Sequence, residues 1–302
     1  MDKYKTAAQN YMSQGLRVFI VLPHNFYSPG PPAPQPDPNN PGPDPMNDPY
    51  ILNFSARVDT FVKYLRDHNA PVRDFIIYNE PGGKLHPHLY ASLLYRCWEK
   101  INNINSSNKM FWGGIFFDKH DTDPNYVDPN AMFYIHSVYS FLGPVLSPAR
   151  EQGLQRNWWW HGINVHIHRD RPSSGANDQF LAILNAVDAK RTEWGDAGEL
   201  LLGEWGITSE EWGSRAPTST FLLNIYNKIR SRKRPHPSMM FYFAHHYVDE
   251  RDQGHGQWGL THYDPGIEGV TPVFVPQTGA APNGRTVLYV PFKNAMSTQD
   301  TT

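Results

Sequence analysis

An apolar run at residues 74–78 stops at Asn79, Glu80 and Pro81, and a second at 200–203 stops at Glu204, Trp205 and Gly206. Each glutamate sits where an extended segment ends, and Pro81 prevents the first from continuing. Two carboxyl groups can divide one reaction between them. One protonates a leaving oxygen while the other attacks the electrophilic carbon or activates a water. That division suits cleavage of a glycosidic bond, with retention at a carboxyl separation of about 5–5.5 Å and inversion at about 6.5–9.5 Å. Spacing along the chain leaves both outcomes open.

Presenting two carboxylates from strand ends requires strands that run the same way. Strand patterns at 17–22, 74–78, 110–116, 162–168, 200–203 and 239–244 alternate with helical patterns at 3–14, 52–68, 88–104, 130–142, 177–193 and 218–231. Such alternation implies a parallel sheet with right-handed crossovers. No Gly-x-Gly-x-x-Gly or phosphate-loop lysine follows any strand, which disfavours an open nucleotide-binding sheet. The expected fold is a TIM (β/α)8 barrel, with about six of its eight strand–helix units visible. The barrel takes residues 1–265 as the catalytic domain and carries an insertion loop over 28–49, where ten prolines remove the amides a ladder needs. Residues 266–302 form a C-terminal extension, loop with one strand candidate at 286–290. Barrels present catalytic groups at the C-terminal ends of their strands. The strand of Glu204 lies three beyond that of Glu80, so the two can face each other across the mouth.

Composition narrows the partners. Of 302 residues, 39% are apolar and 19% charged, enough for a sizeable core, and 27 basic against 29 acidic residues leave a formal charge of -2. No single-sign field exists to attract nucleic acid or an anionic membrane, and no apolar stretch is long enough to span a bilayer. Cys97 is the only cysteine, which excludes an intrachain disulfide and a zinc site built on several thiolates. Residues 1–15 are polar and contain no apolar signal core.

Asn79-Glu80-Pro81, the Gly203-Glu204-Trp205-Gly206 segment three strands later and Pro23-His24-Asn25 one strand earlier together resemble the retaining glycoside hydrolases of clan A, nearest to the cellulase-type family five and its relatives. The resemblance covers residues 1 to about 265. It implies a β-glycosidase of endo-β-glycanase type that degrades a polysaccharide or oligosaccharide by double displacement. Glu80 would be the acid/base, Glu204 the nucleophile, and Asn79 a hydrogen-bond partner of the sugar 2-hydroxyl. No cofactor or metal is implied, and members of the family are often secreted. The charge of Glu204 is expected to hold Glu80 protonated above its free value, giving a bell-shaped pH profile. Three departures stand out. If Glu80 ends strand four, strands one and two are missing, with the arginine the family often places near the nucleophile. His166-Ile-His168 stands where His-x-Tyr is expected, and the strand-eight tryptophan is replaced by the run Phe241 to His246. A sheet lacking two strands is expected to self-associate through its open edges.

The carbohydrate would be held by His24, Asn25, His166 and His168, with Trp205, Tyr242 and Trp258 as platforms, because pyranose faces stack on aromatic rings. Trp112, the run Trp158 to Trp160 and Trp212 are further aromatics expected near the mouth. Two competing readings use the same residues. His166 and His168 share a strand face and, with His245, His246 and Asp249, could hold a metal for a different barrel hydrolase; sensitivity to chelator separates that reading. A degenerate barrel that binds carbohydrate without cleaving it is the other, and it predicts no turnover for Glu204→Gln to abolish.

Overall fold

The computed structural model describes residues 1–13, 17–24, 26, 36–70, 72–118, 123–151, 158–169, 176–207, 224–225, 227–229, 239–242, 246–247 and 261–262. Helix α1 (Asp2–Ser13) leads into β1 (Phe19–Leu22), α2 (Pro49–Asp67), β2 (Asp74–Ile77), α3 (Pro87–Ile104), β3 (Lys109–Trp112) and β4 (Ile115–Phe116). Then come α4 (Pro129–Glu151), β5 (Gly162–Arg169), α5 (Ala176–Glu193), β6 (Glu199–Ile207) and β7 (Met239–Tyr242). Strand order in the sheet is β1-β2-β3-β5-β6-β7, with β4 paired to β5, so consecutive units add side by side. β1, β2 and β3 are parallel and in register, Phe19 with Asp74 and Asp74 with Lys109. This is the β/α order of a partial (β/α)8 barrel. A separate two-stranded sheet, β8 (His246–Tyr247) with β9 (Thr261–His262), has no counterpart among the expected elements.

Helix starts follow their residues. Pro49, Pro87 and Pro129 each take the first helical position, where a fixed φ is favourable and no amide is wasted. Asp48 caps α2 by accepting from the amides of Tyr50 and Ile51, and the His86 ring nitrogen accepts from the His88 amide at the start of α3. All four residues of β2 are buried, the mark of a parallel strand covered on both faces. α2 turns Phe54, Val58, Phe61 and Leu65 inward, and α3 does the same with Leu89, Leu93, Leu94 and Ile101. Cys97 is fully buried on α3 and burial pushes its thiol up, so it is an inert core residue.

The described part of the proline-rich insertion, 36–48, is irregular apart from a 3-10 turn at Pro45–Asn47. The expected strand 110–116 is broken into β3 and β4 by Gly113 and Gly114. Residues 224–225 and 227–229, inside the expected last helix, are helical. The strand candidate 286–290 and the extension 266–302 lie outside the described residues. Among the described residues, no helix is long and apolar enough to cross a membrane. The chain separates into two compact units: Met1–Phe116, Pro129–Val165 and Val187–Leu201 in one, and Phe117–Asp128, His166–Ala186 and Leu202–Thr302 in the other.

In the first unit, charged groups join the N-terminal ends of the strands. Arg17 donates to both oxygens of Asp74 at 3.0 and 2.6 Å and reaches Glu199 at 3.3 Å, while Lys109 donates to Glu199 at 3.1 Å. The guanidinium lies 4.5 Å over the ring of Phe19. Burial alone would raise the Glu199 carboxyl; the hydrogen bonds and charges of Arg17 and Lys109 outweigh it and hold the group below its ordinary value. Glu199 therefore contributes stability above its unfolded pKa, and that contribution disappears as the pH falls through its folded one. Glu199→Gln is expected to flatten the acid limb of a plot of Tm against pH, without effect above neutrality on the shape of that plot. Asp74→Ala is expected to cost about 2 kcal/mol, between the values for exposed and buried pairs because Arg17 is partly exposed. Urea titration at neutral pH reads this as a lowered midpoint at unchanged slope.

Candidate active site

Glu80 reaches its position through a strained turn. After β2 the chain places two non-glycine residues in the left-handed region, Tyr78 at φ 72° and Glu80 at φ 49°. Each such conformation costs about 1–3 kcal/mol and persists only where neighbours impose it. Here the Tyr78 amide donates to the Leu22 carbonyl at 3.0 Å, fixing the turn to the end of β1. The Tyr90 hydroxyl, reaching in from α3, donates to the Ile77 carbonyl at 3.1 Å and accepts from the Gly113 amide at 2.6 Å. Burial drives the ionisation of Tyr90 far above its usual range, so the hydroxyl keeps its proton and serves both bonds. Gly113 is indispensable to the approach, since a Cβ there would lie 2.7 Å from the carbonyl oxygens of Ile77 and Tyr78. Tyr78 itself is fully buried, its ring 5.9 Å from that of Phe54.

Beyond this anchor Asn79 and Glu80 emerge half-buried. Lys84 accompanies them, its Nζ 3.3 Å from the Asn79 carbonyl oxygen and 3.6 Å from Glu80 Oε2. His24, after β1, is exposed. Its carbonyl accepts from Arg57 at 3.3 Å, and the same guanidinium donates to the Phe26 carbonyl at 2.9 Å from a buried position on α2. Burial lowers the pKa of Arg57, and the rings of Phe26 and Phe54 lie 5.1 and 5.2 Å from its guanidinium carbon.

In the second unit, β5 and β6 bring His166 beside Glu204. His166 is 2% exposed, and its Nδ1 stands 3.6 Å from Glu204 Oε2, within ion-pair range although beyond a hydrogen bond. Glu204 does not end its strand as expected, because β6 continues to Ile207. Strand alternation then decides the fate of its neighbour. Successive side chains point to opposite faces, so Trp205 is turned away from Glu204 and packs edge-on against Phe180 of α5 at 6.3 Å. At 1% exposure Trp205 offers no open face to a sugar, which corrects its expected role as a platform.

Other expected platforms are displaced as well. Trp112 is fully buried, and Trp158 to Trp160 precede β5, at the N-terminal edge of the sheet. His168 lies on β5 and Tyr242 on β7, while Asn25, Trp212, Trp258, His245 and Asp249 lie outside the described residues. Tyr90, Lys84 and Arg57 escaped sequence reading. Only the Gly113–Gly114 pair, in the middle of an apolar run, signalled a close backbone approach.

No family model and no curated protein matches this chain. Solved structures do. A family 39 glycoside hydrolase from Bacteroides cellulosilyticus superposes with a TM-score of 0.55 at 14% identity over 87% of this chain, which spans 50% of that enzyme's length. The GH53 catalytic domain of Ignisphaera aggregans matches with a TM-score of 0.53 at 12% identity, covering 86% of this chain and 74% of its own. A GH39 enzyme from Xanthomonas axonopodis pv. citri gives 0.51 at 12% identity over 82% and 46%. At these identities the likeness defines the fold, that of barrel glycoside hydrolases.

Two substitutions test the anchor under Glu80. Tyr90→Phe strands a buried carbonyl and a buried amide and is expected to destabilise by about 1–3 kcal/mol. Gly113→Ala forces two backbone segments apart, at an expected cost of about 1–3 kcal/mol. Chemical denaturation measures both, and wild-type midpoints would contradict the anchor.

Proposed function

We propose that the chain is a retaining β-glycosidase acting on a β-linked polysaccharide or oligosaccharide, with Glu204 as nucleophile and Glu80 as acid/base. The observation that carries this reading is the strained turn that delivers Glu80 at the C-terminal end of β2, the edge from which barrels present catalytic groups. The ladder order supports it: β6, with Glu204, follows β2 by three strands, the spacing of the two-glutamate enzymes this chain resembles.

The reaction runs in two displacements. The Glu204 carboxylate attacks the anomeric carbon while Glu80 gives its proton to the departing glycosidic oxygen, leaving a glycosyl ester on Glu204. Glu80, now ionised, takes a proton from the water that attacks the same carbon, and the ester bond breaks to restore Glu204. His166 acts as a positioning residue for the Glu204 carboxylate, and Asn79 bonds the sugar 2-hydroxyl. His24 and His168 contact the glycan, as do Asn25, Tyr242 and Trp258. No cofactor or metal takes part.

Reducing-sugar release from β-glucans, xylans, mannans and galactans tests the proposal. Glu204→Gln and Glu80→Gln are each expected to lower kcat on the order of 10²–10⁴-fold, with chelator without effect and the product released with retained anomeric configuration. Chelator-sensitive turnover or an inverted product would overturn it.

A further inference from the structure

The first unit contains a cavity of about 380 Å³ that the two-glutamate reaction does not use. Its walls come from α3 and from the turns that lead into β3, β5 and β6. It therefore opens at the N-terminal edge of the sheet, opposite the edge on which β2 delivers Glu80. Its size falls within the range of small-molecule sites, about 300–1,000 Å³.

Among the described residues the lining is aromatic and polar, with one hydrogen-bonded carboxylate. Asp196 is the sole carboxylate in the wall among the described residues, and both its oxygens are engaged: Oδ2 accepts from the Tyr139 hydroxyl at 2.6 Å and the Trp160 indole at 2.8 Å, and Oδ1 from the Gly198 amide at 2.7 Å. Among the described residues, no lysine or arginine lines the space. Anions thus find no counter-charge among the described residues, and the oxygens of the one carboxylate are already engaged. Trp98 and Trp159 are half-buried in the wall, their ring centroids 6.1 Å apart, and among the described residues neither indole N–H has a hydrogen-bond partner. His161 contributes a directed donor. Its Nδ1 accepts from the Met110 amide at 3.2 Å, so the ring proton resides on Nε2. Burial, aided by Lys109, lowers the pKa of the ring and keeps it neutral. Asn102 and Ser106 add an amide and a hydroxyl with no side-chain bond among the described residues. Apolar ring surface, four kinds of neutral hydrogen-bonding group and no cationic side chain among the described residues together match a pyranose, whose faces are apolar and whose rim is hydroxylated.

We propose that this cavity is a second carbohydrate-binding site, which holds a neutral glycan against Trp98 and Trp159 with hydrogen bonds from His161, Asn102 and Ser106. It does not depend on turnover at Glu80 and Glu204, and it tethers polymer to the enzyme.

The test is calorimetric titration of Glu204→Gln protein, which leaves the glycan intact, with cellopentaose, laminaripentaose, xylopentaose and mannopentaose. Two further proteins carry either Trp98→Ala with Trp159→Ala or Ser106→Trp. The second fills the cavity from an exposed turn and removes nothing from the core. Binding of at least one pentaose that weakens tenfold or more in both variants is the expected result, with kcat/KM on an aryl glycoside unchanged when the same changes are made in the active enzyme. Isotherms that superimpose on the parent, or no binding of any of the four, would overturn the site. The two readings fail separately. Tryptophan-dependent binding without any hydrolysis by the wild type removes the glycosidase and leaves this site, whereas hydrolysis with binding indifferent to both variants does the reverse.

Discussion

One guanidinium sets the terms on which the first unit is built. Arg17 precedes β1, yet it reaches Glu199 at the start of β6, although β2, β3 and β5 intervene in the ladder. A flat sheet would hold those strands too far apart for the two side chains to meet at 3.3 Å; the ladder must bend. The bidentate pairing with Asp74, 7% exposed, defines the distance between β1 and β2, and Lys109 brings the start of β3 to the same carboxylate of Glu199. Such a cluster can be partly buried because every charge in it has a partner of opposite sign. It lies on the N-terminal edge, the side of a barrel that serves stability rather than chemistry.

Stapling that edge has a consequence at the other one. Strands whose N-terminal ends are held in register arrive together at their C-terminal ends, and there β2 and β3 come so close that only glycine fits at position 113. The backbone of β2 cannot continue straight. It turns through left-handed conformations at Tyr78 and Glu80, and the Tyr90 hydroxyl satisfies the carbonyl and amide that this turn takes out of the ladder. Strain of this kind is tolerated when packing on several sides over-determines it. The fully buried ring of Tyr78 and the bond to Leu22 supply that.

The order of elements was legible because it rests on a local rule, the period-two and period-3.6 apolar patterns. The two glutamates drew notice for a related reason, since both break apolar runs of the sequence, although β6 itself continues through Glu204 to Ile207. What could not be read depended on three dimensions. Tyr90 lies on the inward face of α3 beside Leu89 and Leu93, and nothing in its spacing separates a packing tyrosine from one whose hydroxyl bridges two strands. Strand ends were shifted by a few residues, and at Glu204 this mattered: a strand that runs on to Ile207 keeps its alternation, so Trp205 turns to the opposite face and into the core. Adjacency in sequence argues against sharing a site when the segment is extended.

The tryptophans before β5 show the converse. Trp158 and Trp160 stack at 4.7 Å and spend their indole N–H groups on Trp194 and Asp196, as core residues do. Trp159, between them, is turned the other way by the same backbone and meets Tyr95 and Trp98 of α3 instead. The bonds to Asp196 satisfy its oxygens with neutral donors, without removing its charge. Three donors stabilise that carboxylate where it is buried, and the other groups lining the space among the described residues are neutral donors and aromatic rings. Two of the three tryptophans that line the space thus also serve the core, and the third, half-buried, carries its ring to α3.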